Sequence, residues 1–380
     1  MPETGAVTET GWIAAPEAAQ RLGVKRTTLY TYVSRGLLTP RRRGGESRFS
    51  RADVDALAAG RRHPGAPAGV LRMRSVRSAV SEVREGELFL RGTALADLAD
   101  EAYDDVVDLV LGPGDADSVE VPAHLADVPR HRRLPALAQW AAATRPDVPV
   151  DAAARGLVTA APTVMGGSPG PTASALFVAV AGRPGRPSEV AALNTALVAL
   201  VDHGLAASVV AARVAASARS SSYDCVVAGY AALAGRLHGA IAPAALEVLR
   251  DHLEPHRLDA PDHRRSSLSR PADAPGQAPV PGFGHWRHPA GDPRADTLLA
   301  RVALVEGAGP VLDALEDLAD RLERRPNIDA ALAALTLACD LPDETGEVCF
   351  QVGRTTGIAA HVVEELGEVP LRWRARDPEG

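Results

Sequence analysis

Aromatic residues make up only 4% of the 380 positions, so a core drawn from a 46% hydrophobic content has to be built largely from Ala, Leu and Val. Such a composition favours helices. Cysteine is scarce too: Cys225, Cys339 and Cys349 stand far apart, fit neither a metal-binding spacing nor a disulfide framework, and read as free thiols. No run of eighteen apolar residues occurs, which argues against a membrane-spanning helix, and the N-terminal MPETGAVTET lacks the basic-then-apolar layout of a secretory signal. A cytosolic chain without a membrane partner is expected. Its length suggests about two or three domains.

The net charge of −7 conceals an imbalance. Residues 11–63 hold 11 basic and 4 acidic side chains, a balance of +7, whereas residues 64–380 hold 30 and 42, a balance of −12. A basic head on an acidic body suits a nucleic-acid module joined to a domain that does not itself touch nucleic acid. Residues 12–35 read as two short helices, with Pro16 in a first turn and Gly23 interrupting the pattern. The second would start near Lys25, turning Arg26, Thr27, Thr28 and Thr31 outward and keeping Leu29, Tyr32 and Val33 for packing. In PRRRGGESRFS, Gly44 and Gly45 can turn a basic strand carrying Arg41, Arg42 and Arg43 back onto one carrying Arg48 and Phe49. That makes a small wing, after which Ser50 and Asp53 have N-cap spacing for a final helix.

This head, residues 11–63, resembles the DNA-binding domain of MerR-like and excisionase-like regulators. The resemblance implies duplex DNA as a partner, contacted through Lys25, Arg26, Thr27, Thr28, Thr31, Arg41, Arg42, Arg43 and Arg48. A solvated basic loop is the plainer alternative. It leaves unexplained why phosphate-neutralising arginines sit beside a correctly spaced turn. Residues 64–69, rich in Pro and Gly, read as a linker.

From about residue 70, apolar residues recur at helical spacing, with Ala-rich segments at 190–218, 223–237, 296–324 and 328–340. Before them, residues 72–91 alternate, and Glu85-Gly86 supplies a hairpin turn. The interval 254–281 contains six prolines and reads as a long surface loop.

Five motifs follow one another in the body. Asp202-His203 precedes Ser208; next come Leu237-His238-Gly239 and PGFGHWRHPAGDPRA, the latter holding His285 and Arg294. RPNIDAALAAL holds Asp329, and VGRTTG holds Arg354 ahead of Arg372. Dipeptides recur by chance, but PGFGH, DPRA, PNxD and GRTxG in this order are specific. Across residues 190–376 they resemble the citrate synthase family, and the weaker LFLRG around Arg91 extends the likeness to about residue 72.

The resemblance implies an all-α, two-lobed condensing domain over residues 70–380, with a large lobe from 70–240 and 346–380, a small lobe from 241–345 and the site in the cleft. It implies acetyl-CoA and oxaloacetate as substrates, no separate cofactor and no metal. His238, His285 and Asp329 take the catalytic places, His203, Arg294, Arg354 and Arg372 bind substrate, and Ser208 orients His238. In the family, the residue matching Arg372 reaches the neighbouring subunit's site, which implies a homodimer.

The chemistry needs these residue types together. A weakly acidic methyl proton requires a positioned base, here Asp329, and the charge developing on the thioester oxygen requires a donor, here a neutral His238. His285 would polarise the ketone, and forked guanidinium groups suit a dianion. Asp329 has a plainer alternative as an N-cap, and His124, His131, His252 and His361 read as surface or satisfied core residues. Departures from the family pattern are expected to matter. Gly204 and Ala206 stand where relatives commonly have an acid and an amide, LHGAIAP replaces LHGGAN, Trp286-Arg287 follows PGFGH, and Ile358 ends the GRTxG motif in place of Trp. Two further functions stay open: propionyl-CoA as substrate, giving 2-methylcitrate, and a regulator that senses CoA esters or citrate without turnover.

Overall fold

Two separate hydrophobic cores organise the chain, which divides into compact units near residue 72. The structure is a computed structural model that describes residues 12–34, 38, 40–43, 46–59, 76–254, 280–285 and 287–373. Gly44, Gly45, the 64–69 linker, nearly all of the 254–281 interval, Trp286 and the side chains of Thr31, Arg42 and Arg43 lie outside the described residues.

In the head, β1 (Trp12–Ala14), α1 (Ala15–Arg21), α2 (Arg26–Ser34), β2 (Arg41–Arg43), β3 (Glu46–Ser50) and α3 (Arg51–Ala59) enclose a core of Ile13, Leu29, Leu38, Phe49 and Val54. The three helices and the wing appear as expected, with Pro16 in the first turn of α1 and the Asp53 amide donating to Ser50 Oγ at 3.3 Å. Residues 12–14 correct the sequence reading. They form a strand, because pairing Ile13 with Phe49 sends both into the core and gives β3 a neighbour on each side, in the order β1-β3-β2.

The body opens with β4 (Ser81–Arg84), β5 (Glu87–Leu90) and β6 (Thr93–Ala94), an antiparallel meander. Glu85 and Gly86 both have positive φ, 53° and 89°, the backbone that a tight two-residue turn demands. Helices α4 (Leu95–Leu98), α5 (Tyr103–Leu111), α6 (Arg130–Thr144), α7 (Val150–Val164), α8 (Thr172–Ala181), α9 (Pro187–Leu200), α10 (Ala207–Ser217) and α11 (Ser222–Leu233) follow. The chain ends with α12 (Ala242–Leu253), α13 (Pro293–Val302), α14 (Gly309–Leu322), α15 (Ile328–Ala338) and α16 (Thr345–Leu366). Two of the long Ala-rich segments are therefore helix pairs. The 190–218 segment breaks between α9 and α10 at residues 201–206, and the 296–324 segment breaks between α13 and α14. Those breaks serve the fold, since the first carries Asp202 and His203. Among the described residues no helix is long and apolar enough to cross a membrane.

Helix α16 is the axis of the body. Eighteen of its 22 residues are buried, and it packs on α5, α6, α7, α9, α10, α11 and α15. Helix α9 lies against it because Gly353 and Gly357 present no side chain: a Cβ at Gly353 would sit 2.8 Å from the Leu197 carbonyl oxygen, and one at Gly357 only 2.0 Å from that of Val201. Ile358 packs similarly on Gly229, where a Cβ would come within 2.7 Å of its side chain. Since backbone cannot yield as a side-chain tip can, Gly357→Ala should cost at least about 2 kcal/mol of stability. Denaturant unfolding of the full chain checks this, and an unchanged midpoint would show that α9 and α16 are not so closely held.

Candidate active site

Six of the residues singled out in the sequence line one cavity of about 570 Å³: His203, His238, His285, Arg294, Asp329 and Arg354. They arrive from separate places. His203 lies in the break between α9 and α10, His238 in the segment after α11, His285 in the loop before α13, Arg294 in the first turn of α13, Asp329 in the first turn of α15 and Arg354 in the middle of α16.

Two polar side chains hold the helix starts in register. Asp292 caps α13, its carboxylate accepting from the Arg294 amide at 3.1 Å and from Arg294 Nε and Nη2 at 2.9 and 2.7 Å, and it also accepts from the Ile328 amide of α15 at 3.1 Å. Burial opposes charge on Asp292, but the Arg294 guanidinium outweighs it and holds the carboxyl below its usual range. Asn327 does the same for the neighbouring loop. Its Oδ1 accepts from the Asp329 amide at 2.9 Å, and its Nδ2 donates to the Gly284 carbonyl at 3.0 Å, one residue from His285. Asn327 is thus the cap of α15, so the plainer role considered for Asp329 is already filled.

The histidines form a cluster in which His203 and His288 are held neutral. His203 Nε2 lies 2.6 Å from His288 Nε2, and the His285 ring centroid is 5.1 Å from each of theirs. Burial first, then Arg294 and Arg354, drives the His203 pKa far down; burial leads the downward shift of His288 as well. His238 is pushed down to about 4 by burial and then by Arg354 and Arg294. Its Nε2 faces Ser208 Oγ at 3.0 Å, leaving Nδ1 as the other polar edge of the ring. His285 Nδ1 accepts from the Arg287 amide at 3.1 Å, so in the neutral ring the proton sits on Nε2.

Arg354 is 1% exposed and stands 3.7 Å from Asp202 Oδ1, within ion-pair range. Among the described residues its Nε and Nη1 make no hydrogen bond. Burial lowers its pKa to about 10, against the pull of Asp202. It remains a cation at neutral pH, incompletely paired and open to a carboxylate. Arg294 differs: Asp292 takes the two-point geometry that the sequence suggested for a substrate.

Residues 168–376, more than half of the chain, match the family described as "Citrate synthase, C-terminal domain". The chain belongs to the citrate synthase family. A helix-turn-helix domain family matches residues 12–62. The chain is 32% identical to citrate synthase of Mycolicibacterium smegmatis over 193 residues, 49% of each chain, and 30% identical to 2-methylcitrate synthase of Mycobacterium tuberculosis over 185 residues, 46% of this chain and 44% of that one. It spans about half the length of the curated relatives it matches. Two solved structures share the fold. One is citrate synthase of Thermoplasma acidophilum in a ternary complex with carboxymethyl coenzyme A and oxaloacetate, with TM-score 0.63 and 21% identity, covering 81% of this chain and 93% of that chain. The other, from Thermotoga maritima, has TM-score 0.59 and 20% identity over 80% and 92%.

Other features of this citrate synthase-family site were not legible beforehand. His288 went unnoticed although HWRH places it three residues from His285, and Asp292 could have been found as an Asp-Pro helix start. Gly204, with φ +69°, makes room for Arg287: a Cβ there would meet Arg287 Nη1 at 2.8 Å, and that same nitrogen donates to the His203 carbonyl at 2.8 Å. Two departures from the family pattern therefore compensate each other. His361 is a satisfied core residue, as read, but its partner is Asp202, 3.1 Å from its Nε2. Arg372 lies outside the cavity, its guanidinium paired with Glu365 and Glu368. Among the described residues no group of three or more His, Cys, Asp or Glu side chains is placed to hold a metal ion.

The depressed pKa of His238 has a sign that can be measured. Between its ordinary value of 6.5 and about 4 the unfolded chain binds more protons than the folded one, so its contribution to stability is complete above pH 6.5 and declines as pH falls through that window. His238→Gln should reduce the slope of stability against pH by up to about one proton, with His203 and His288 sustaining the rest. Denaturant midpoints measured from pH 7 to pH 4.5 check this, and an unaltered slope would show that His238 is not buried in neutral form.

Proposed function

We propose that the body condenses acetyl-CoA with oxaloacetate and water to citrate and CoA. The observation that carries this reading is the convergence of a carboxylate, neutral imidazoles and an incompletely paired buried guanidinium in one cavity. In this reading Asp329 removes a proton from the methyl carbon, and His238 donates from Nδ1 to the thioester oxygen so that no full charge develops in a dry site. His285 donates from Nε2 to the ketone of oxaloacetate, and the enol carbon attacks the carbon so polarised. Water then cleaves the citryl thioester and CoA departs. Arg354, the Nη1 edge of Arg294 and His203 hold the carboxylates, and Arg372 of a second copy completes the pocket in a homodimer.

Propionyl-CoA, giving 2-methylcitrate, is the neighbouring reading, favoured by the Mycobacterium tuberculosis relative. The head favours a further role. We propose that residues 11–63 bind duplex DNA, supported by the helix-turn-helix match, the +7 charge and the exposed Lys25, Arg26, Thr27, Arg41 and Arg48. Thr28 is half-buried and suits this role less, whereas Tyr30, 42% exposed on the same helix, joins the candidate surface. A regulator that senses CoA esters or citrate without turnover would need the same head, but it has no use for an acid-base pair.

Release of free thiol from acetyl-CoA and oxaloacetate separates these readings. Asp329→Asn should lower turnover by roughly 10²–10⁴-fold with oxaloacetate still bound, whereas Arg354→Leu should chiefly weaken oxaloacetate binding. A near-normal rate for Asp329→Asn removes it from the mechanism, and absence of turnover in the unaltered chain favours the sensor. For the head, affinity for duplex DNA should fall steeply with salt as condensed counterions are released, and changing Arg41, Arg42 and Arg43 to Gln should weaken binding to every sequence. Lack of binding to any duplex at low salt by the full chain would remove DNA as a partner.

A further inference from the structure

Ser81 stands at the start of β4, more than eighty residues upstream of the segment that matches the citrate synthase C-terminal domain. Its hydroxyl reaches across to the break between α9 and α10. Oγ donates to Asp202 Oδ2 and accepts from the Gly204 amide at 2.9 Å, so one atom grips the residues on both sides of His203. The segment preceding it is anchored rather than loose: the Ala79 amide donates to Glu364 Oε1 at 2.8 Å, and Ser78 Oγ lies 3.3 Å from His361 Nδ1. Both partners belong to α16, the helix that carries Arg354.

We infer that Ser81 is a positioning residue for dicarboxylate binding, acting through His203 and through the Asp202–Arg354 pair. The inference rests on the proposed oxaloacetate site. Asp202 is fully buried and its charge needs donors; Oδ2 accepts from Ser81, from the Gly204 amide at 3.0 Å and from His361 Nε2 at 3.1 Å, while Oδ1 faces Arg354 at 3.7 Å. Removing the hydroxyl has two consequences that point the same way. The His203 main chain loses a tether on that side, leaving its carbonyl to Arg287 and its ring to His288. Asp202, with one donor fewer, leans more heavily on Arg354, and a guanidinium drawn to an internal carboxylate is less available to a substrate carboxylate. Neither consequence touches His238 or Asp329, so binding should suffer while the chemical step is spared.

The test uses the full-length chain and oxaloacetate itself, with its Kd read by calorimetry and KM and kcat read by thiol release. Ser81→Ala should weaken oxaloacetate binding roughly tenfold and leave kcat within about threefold, because a lost hydrogen bond to a charged group is of that order. Ser81→Thr, which keeps the hydroxyl, should return affinity to within about twofold of the unaltered chain. A hydroxyl needed only for folding would not divide KM from kcat in this way. Unchanged affinity in Ser81→Ala overturns the inference, as does a loss that Ser81→Thr fails to restore. Should Ser81→Ala not fold, Ser81→Cys, similar in shape and a weak donor, carries the same test, and native-like affinity in it overturns the inference. If the unaltered chain binds no oxaloacetate, the oxaloacetate reading itself fails and takes this one with it, a result distinguishable because it needs no variant.

Discussion

Close contact between α9 and α16 is the constraint on which the body depends. Gly353 and Gly357 bring the end of α9 against the helix axis, and only there can Asp202, the second residue beyond α9, stand beside Arg354 and His361. Burying a guanidinium costs several kcal/mol unless a counter-charge is near, so Arg354 without Asp202 would destabilise the fold. Packing and electrostatics are therefore one device: the glycines that let backbones touch also place the anion that keeps a cation in the interior. That cation faces the cavity with hydrogen-bonding capacity to spare.

The cavity sets a second balance. Buried cations repel protons from nearby imidazoles, so Arg294 and Arg354 add to desolvation in holding His203 and His238 neutral. Neutral rings donate one hydrogen bond and accept another, and the acceptor sides are engaged within the protein at His285, whose Nδ1 takes the Arg287 amide. Cations that suit a dianionic ligand and neutral donors that suit a developing oxyanion are thereby parts of the same electrostatic arrangement.

Departures from the family pattern acquire a physical meaning in this setting. Gly204 replaces an acid, and Arg287 enters the space so released to bond the His203 carbonyl; Ile358 replaces a tryptophan and fills the face of Gly229. Support for His203 thus comes from Arg287, His288 and Ser81, none of them in its own motif. The basic head is a separate unit with its own core of Ile13, Leu29, Phe49 and Val54.

Local patterns alone determined much of this protein. The helical period, the Glu85-Gly86 turn, the Ser50 cap, the three free cysteines and the ordered motifs depend on residues close together in sequence, and from them the fold class, the head and six residues of the cavity were legible. What required tertiary structure was anything resting on the approach of distant segments. Residues 12–14 are a strand because β3 lies beside them, and the break in the 190–218 segment gains its meaning from the cavity that its His203 lines. His288, Asp292, Arg287 and Ser81 gain their roles from partners that adjoin them only when the helices pack, since a hydrogen bond is decided by a few tenths of an ångström and no spacing along the chain encodes that distance.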